Sequence, residues 1–175
     1  MTRAGYLRLT QRVRHLTSHL PGGELWLSAP TGICAVIYFA VLLRLLMERD
    51  TRLLPAVAVP FICFVTCTVL RALINRPRPY DQLNFIPVGR YHPNKGKSLP
   101  SRHTACAVAI SCAVVYVCPS PAVVFLMALL TLVIGTLRVV TGKHYPSDVL
   151  CGILLSMLLS ILLYAFWPSG LRISL

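Results

Sequence analysis

Five long apolar runs dominate this chain of 175 residues and leave few folds open to it. They cover approximately residues 31–47, 53–70, 104–118, 121–137 and 149–167. With its flanking residues, each run approaches the ~20 residues that an α-helix needs to cross the hydrocarbon core of a bilayer. The mean hydropathy of +0.71 and the 56% of hydrophobic residues are also unlike a soluble domain. We therefore predict an all-α integral-membrane bundle with about five transmembrane helices.

One membrane domain is predicted over residues 31–168, with a short tail over 169–175. Residues 1–30 are basic and contain no apolar core of the length that a signal peptide has. Within them, an apolar and a basic stripe run side by side at helical spacing: Leu9, Val13, Leu16 and Leu20 beside Arg8, Arg12, His15 and His19. This pattern predicts an amphipathic helix in the lipid headgroup region, ended by Pro21-Gly22-Gly23. The alternative is a plain basic tail.

Seventeen Lys and Arg residues against five acidic residues give a formal charge of +12. A basic balance can indicate nucleic-acid binding, but here the charges lie between long apolar runs. An anionic membrane surface or an anionic lipid substrate fits this placement better, and no nucleic-acid partner is predicted. The acidic residues form no cluster able to bind Mg²⁺ or Ca²⁺, and the seven cysteines form no CxxC pair. We therefore predict neither a metal nor another cofactor.

Three basic clusters stand at the ends of apolar runs, where a charged side chain carries a solvation cost. They are Arg71 with Arg78-Pro79, then Pro100-Ser101-Arg102-His103, then Arg138 with His144 and Asp148. Counting the crossings of the predicted helices places all three at one face of the membrane. Guanidinium groups bind phosphate oxygens bidentately and keep their charge in any surroundings. The clusters therefore indicate a site that holds a phosphate.

The third cluster pairs a histidine with an acid. Asp148 follows His144 by four residues, so its carboxylate can reach back to the imidazole. An orienting carboxylate fixes the tautomer of the ring and leaves the other nitrogen free to attack. In the alternative interpretation, Asp148 only complements the start of the last helix, where Pro146 suits the first turn.

The second cluster opens the third run, which is expected to extend back to Pro100. Ser101 is placed as an N-cap, so that backbone N–H groups at the helix start face an anion, and His103 can donate a proton to a leaving oxygen. The alternative is simple capping. In the first cluster, Pro77 and Pro79 are expected to end the second helix near Asn75 and leave Arg78 on the loop. Anchoring at lipid headgroups is a serious alternative for four further cations: Arg76, Arg90, Lys95 and Lys97.

Together the clusters resemble the three-part signature of the type 2 phosphatidic acid phosphatase superfamily, which also includes the vanadium haloperoxidases. That signature reads Lys-x6-Arg-Pro, then Pro-Ser-Gly-His, then Ser-Arg-x5-His-x3-Asp. The resemblance spans approximately residues 53–167. Three positions depart from it: Arg71 replaces Lys, Arg102 replaces Gly and Leu137 replaces Ser.

The resemblance implies a role for each matching residue. His144 would attack phosphorus and become a phosphohistidine, Asp148 would orient it, and His103 would protonate the leaving oxygen. The phosphoryl oxygens would be held by Arg71, Arg78, Ser101 and Arg138. Arg102 departs from the signature, but it brings another cation close, so we expect it to bind phosphate as well. It also implies a metal-independent membrane phosphatase acting on a lipid phosphate or diphosphate, such as phosphatidic acid, phosphatidylglycerophosphate or undecaprenyl diphosphate.

A second function stays open at this point. The protein could bind or transport anionic lipids without catalysis and retain the pocket for recognition. A haloperoxidase is disfavoured because those enzymes are mainly large and soluble. The expected location is a bacterial cell membrane, crossed several times. The positive-inside rule, applied to Lys and Arg outside the site, favours an active site on the cytoplasmic side.

Overall fold

The computed structural model describes residues 2–19, 23–89, 91–93 and 96–167, with only the backbone described at residues 23 and 24. Within these ranges the regular structure is α-helical, which confirms the predicted all-α class. The described residues form seven helices: α1 Arg3–Ser18, α2 Gly23–Met47, α3 Leu53–Ile74, α4 Pro79–Gln82, α5 Arg102–Val117, α6 Pro121–Val140 and α7 Pro146–Ala165. The tail at 169–175 lies outside the described residues, and the division of the chain into segments stays a prediction.

Five of these helices correspond to the five apolar runs. Four of them, α2, α3, α6 and α7, are long and apolar enough to cross a membrane, so the protein is a multi-pass membrane protein. The fifth, α5, has 16 residues and is shorter than a full span. It begins at Arg102, close to the expected start near Pro100. Helix α2 is longer than predicted: it begins eight residues before its predicted run and contains Pro30.

Helix α5 is the central helix of the bundle and packs against α2, α3, α6 and α7. Half of its residues are buried, and many of these are small: Thr104, Ala105, Ala107, Ala109 and Ala113. Small side chains let neighbouring backbones approach closely, which is how helices associate in a bilayer. The outer helices instead expose large apolar side chains such as Phe39, Phe61 and Phe125, as a surface facing lipid does.

The connection between α3 and α5 supplies the covering of the bundle at one end. As expected, α3 ends at Ile74, and Asn75 follows in the left-handed conformation with φ 44°. Pro77 and Pro79 then prevent its continuation. Arg78 is the N-cap residue of the short helix α4, so it stands on the connection and not on the face of α3. Arg90 and Lys95 lie outside the described residues.

The predicted N-terminal helix is present as α1, but its buried face differs from the predicted apolar stripe. Tyr6 and Thr10 are the residues buried against the rest of the protein, whereas Leu16 is 67% exposed. Leu20 lies outside the described residues, and Gly23, predicted as part of the stop, already belongs to α2. The location of α1 in the headgroup region stays a prediction.

Candidate active site

A cavity of about 470 Å³ opens at the end of the bundle where α3 stops and α5 begins. Its lining brings together residues of all three basic clusters: Arg71, Arg78, Arg102, His103, Arg138 and His144. The connection before α5 adds Tyr80, Tyr91, His92 and Lys97 to the wall. Two of the predicted site residues, Ser101 and Asp148, do not line the cavity and are fully buried behind it.

The geometry of His144 and Asp148 matches an imidazole oriented by a carboxylate. His144 lies in the connection between α6 and α7 and is 2% exposed. Its Nδ1 atom is 3.5 Å from Oδ2 of Asp148, one helical turn further along the chain. With Nδ1 directed at the carboxylate, Nε2 is the nitrogen left for reaction.

Asp148 is held by more donors than the sequence indicated. Its Oδ1 accepts a hydrogen bond from Arg76 at 2.9 Å, and its Oδ2 accepts from the N–H of Tyr145 at 3.0 Å and from the hydroxyl of Ser98. Arg76 also donates to Ser147 at 2.9 Å and lies over the Tyr145 ring at 4.2 Å. A buried carboxylate requires such donors, because burial without them is costly.

Sequence reasoning missed both Arg76 and Ser98 as parts of the site. Arg76 was interpreted as a candidate headgroup anchor, although its position between Arg71 and Arg78 was a signal that it belongs with the first cluster. Ser98 contacts an acid 50 residues away, and no local pattern points to it. Both side chains reach Asp148 from the connection between α3 and α5.

The pKa of His144 is lowered from its usual value, with burial as the largest cause. The positive charges of Arg78 and Arg71 lower it further, while the hydrogen bond and the charge of Asp148 act in the opposite direction. The imidazole is therefore neutral near pH 7. A neutral ring keeps the lone pair that a nucleophile needs.

The second cluster is tied to the third through the backbone. Ser101 is the N-cap residue of α5, as predicted, but its hydroxyl pairs with that of Thr104 at 3.0 Å and not with a backbone N–H. Its own N–H donates to the carbonyl of Asp148 at 2.8 Å. Helix α7 can come this close because it has Gly152 here, where an added Cβ would lie 2.8 Å from the Ser101 carbonyl oxygen.

The arginines of the cavity are fixed in different ways. Arg71 is buried and donates to the carbonyl of Pro100 at 3.1 Å, so the first cluster supports the second. Arg78 donates through Nε to the carbonyl of Gly96 at 3.1 Å. Arg102 lies over the ring of Phe64, with 5.6 Å between the guanidinium carbon and the ring centroid. Each arrangement orients a guanidinium group on the wall of the cavity.

The cavity is strongly cationic. Six Lys and Arg residues belong to its wall, Arg71, Arg78, Lys97, Arg102, Arg138 and Lys143, and none of the described lining residues is acidic. Such a concentration of cations favours a ligand with at least two negative charges, as a phosphoryl group has. Among residues 2–19, 23–89, 91–93 and 96–167, the cavity included, no three His, Cys, Asp or Glu side chains come together as ligands for a metal ion.

An apolar cavity of about 300 Å³ meets the cationic one. It lies among α2, α3, α5 and α6, and its wall includes Cys34, Phe64, Cys106, Ile110 and Ile134. Arg102 and His103 belong to the walls of both cavities. His103 therefore stands where a polar group held by the arginines would join an apolar chain.

Comparisons with known proteins agree with this geometry. The family model of the PAP2 superfamily matches residues 51–171. The fold is similar to that of Aquifex aeolicus LpxE, with a TM-score of 0.69 and 21% identity over 89% of this chain and 94% of that one. It is also similar to a transmembrane PAP2-type phosphatidylglycerolphosphate phosphatase from Bacillus subtilis, with a TM-score of 0.57 and 21% identity over 92% of this chain and 94% of that one.

No curated protein sequence matches the chain significantly. The family match covers more than half of the chain and includes all three clusters. The chain therefore belongs to the PAP2 superfamily, which confirms the family and the phosphatase class that its three motifs predict.

Proposed function

We propose that the protein hydrolyses a lipid phosphate or diphosphate by nucleophilic attack of His144, without a metal ion. The observation that carries this proposal is the position of His144, which lies between a buried carboxylate on one side and a cavity walled by cations on the other. A neutral imidazole, oriented by Asp148 and facing a bound phosphoryl group, has the features of an activated nucleophile.

In the first step, Nε2 of His144 forms a bond to phosphorus while the bond from phosphorus to the leaving oxygen breaks. His103 gives its proton to that oxygen, and the product is an alcohol or, from a diphosphate, a lipid monophosphate. In the second step, water attacks the phosphohistidine and loses a proton to His103. Inorganic phosphate leaves, and both histidines return to their starting state.

Arg71, Arg78 and Arg138 would bind the phosphoryl oxygens, and Arg102 would add a fourth guanidinium from the first turn of α5. Charge increases on these oxygens as the phosphoryl group is transferred, so cations held in place lower the barrier. Ser101 would contribute mainly through the start of α5, since its hydroxyl is engaged with Thr104. That helix start supplies N–H groups with no acceptor within the helix.

The apolar cavity supports a lipid as the substrate. The leaving oxygen lies beside His103 in this mechanism, and the apolar wall of Phe64, Cys106 and Ile110 begins at the same place. The chain of the leaving group can therefore stay among helices while its phosphate reaches the arginines. Phosphatidic acid, phosphatidylglycerophosphate and undecaprenyl diphosphate all offer this combination. We propose the cell membrane as the location, with the site on the cytoplasmic side.

The test uses the purified full-length protein in detergent, with each of these three lipids and with EDTA present. We expect release of inorganic phosphate, its inhibition by vanadate, and its loss in His144→Ala. His15→Ala, which changes an exposed histidine of α1, is the matched control and should retain the wild-type rate. Full activity of His144→Ala would overturn the mechanism. Tight lipid binding with no turnover in the wild-type protein would favour the non-catalytic alternative.

A further inference from the structure

Helix α1 precedes the region that the family model matches, yet it contacts the backbone of the candidate nucleophile. Tyr6 is completely buried, and its hydroxyl donates a hydrogen bond of 3.2 Å to the carbonyl oxygen of His144. Burial raises the pKa of Tyr6, so the hydroxyl stays protonated and remains a donor. Residues 138 positions apart in the sequence are joined by this bond.

The ring of Tyr6 lies between two other aromatic rings. It stacks on Phe85 with centroids 5.4 Å apart, and it meets Tyr145 edge-on at 6.2 Å. Tyr145 directly follows the candidate nucleophile and donates its N–H to Asp148. Tyr6 therefore contacts the backbone of His144 and the side chain of the next residue at the same time.

A second residue of α1, Thr10, packs against the same connection. Gly142 adopts φ +77°, and a Cβ at this position would lie 2.6 Å from the Phe85 ring and 3.2 Å from the Thr10 methyl group. The N–H of Val88 donates to the carbonyl of Thr141 at 2.9 Å. The connection before α7 is thus enclosed between α1 and the segment 85–88.

Two arginines bind α1 to backbone carbonyls of residues 84–87. Arg3 donates to the carbonyl of Asn84 at 3.3 Å, and Arg14 donates to the carbonyls of Ile86 and Pro87 at 2.9 and 3.2 Å. These bonds are about three helical turns apart along α1. The helix is held along its length and not only at Tyr6.

We propose that α1 is a clamp on the connection that carries His144, and that Tyr6 is a positioning residue for the phosphatase reaction. The inference rests on the proposed function of His144. Tyr6 touches neither the substrate nor the reacting atoms; it acts by limiting the movement of the His144 backbone. A nucleophile displaced by about 1 Å can lose on the order of 100-fold in rate, so even a partial loss of this restraint is measurable.

The test compares Tyr6→Phe with Tyr38→Phe in the full-length protein. Tyr38, on α2, donates a hydrogen bond of 3.0 Å from its hydroxyl to the carbonyl of Ala56. It therefore makes the same kind of hydrogen bond as Tyr6, but away from the site. Both variants keep the ring and lose one hydroxyl. We expect Tyr6→Phe to lower kcat about threefold to tenfold with KM changed less than twofold, as the loss of one neutral hydrogen bond predicts. Tyr38→Phe should leave kcat unchanged.

Hydrogen–deuterium exchange provides a readout that does not depend on activity. In Tyr6→Phe, the amides of residues 141–145 should exchange faster than in the wild type, while those of α5 and α6 should not change. Unchanged kcat and unchanged exchange in Tyr6→Phe would overturn the clamp, and so would an equal loss of kcat in Tyr38→Phe. If the wild-type protein releases no phosphate from any lipid, the proposed function fails, and the exchange measurement still decides whether α1 restrains the connection.

Discussion

Charged side chains lie at both ends of α3. One end is the turn from α2 and the other is the cavity, and the two ends differ in how acids and bases are paired. At the turn, Arg52 pairs with Asp50 at 2.7 Å, and Arg44 pairs with Glu48 at 2.9 Å. Partners there are two to four residues apart and all are partly exposed. Local, solvated pairs of this kind contribute little to stability. They allow the chain to turn in the polar region beside the membrane.

At the cavity, the cations of the wall outnumber the acids, and the acid behind the wall is buried. Asp148 is fully buried and takes its arginine from 72 residues away, while the described residues lining the cavity include six cations and no acid. Cations without acidic partners repel one another, and burial lowers their hydration, so they are costly unless an anion binds among them. This difference separates a structural use of charge from a functional one, and it can be tested with matched variants at the two ends.

The largest contrast is expected between Asp148→Asn and Asp50→Asn. Asparagine keeps the shape of the side chain but removes the charge that orients His144, so phosphate release should fall about a thousandfold or more in Asp148→Asn. In Asp50→Asn the rate should stay within about twofold, because the pair that is lost is local, partly exposed and away from the cavity. Initial rates of phosphate release, with circular dichroism to confirm folding, provide the measurement. Similar rates in the two variants would remove the distinction between the two ends.

A smaller contrast is expected between Arg76→Gln and Arg52→Gln. Arg76 donates to Asp148, and a hydrogen bond to a charged group contributes about 1.5–3 kcal/mol, so its loss should lower kcat about 10- to 100-fold. Arg52 donates to Asp50 and, at 3.2 Å, to the carbonyl of Val117, which ends α5 away from the cavity. Its variant should keep the wild-type kcat and lower the thermal midpoint slightly. If Arg76→Gln is fully active, Arg76 is only a headgroup anchor, the alternative that the sequence left open.

The smallest expected effect concerns the titration of His144. Because burial outweighs the carboxylate, the pKa of His144 should lie below the usual 6.5, so the ring stays neutral as the pH falls through that value. Above its pKa the folded state binds fewer protons than the unfolded state, so this group favours folding less as the pH falls below about 6.5. NMR of the histidine rings, with His144→Ala to assign the signal, measures the midpoint. A midpoint above 6.5 would show that Asp148 outweighs burial.

Local patterns in the sequence were sufficient for the outline of the bundle. Apolar runs predicted five membrane helices, and the Pro77 and Pro79 pair predicted that α3 ends near Asn75, because these features act within one or two helical turns. The spacing of the three clusters also pointed to the family. Four helices meet the length of a full span; α5, with 16 residues, does not, and the other four pack around it.

The apolar stripe of α1 shows a limit of what such local patterns can predict. Leu9, Val13 and Leu16 predicted which face would be covered, but the protein buries Tyr6 and Thr10. An amphipathic pattern cannot distinguish a face that packs on protein from one that packs on lipid, since both remove apolar area from water.

By itself, the sequence determined that this chain is a membrane helical bundle of the PAP2 superfamily with a histidine, an acid and arginines at one end. Hydropathy and short-range spacing carry that information. Only the tertiary structure decided that Arg76 and Ser98 hold Asp148 and that Tyr6 holds the backbone of His144. These contacts join residues 50 to 138 positions apart, and a hydrogen bond requires the correct distance and direction of both groups, which packing alone establishes.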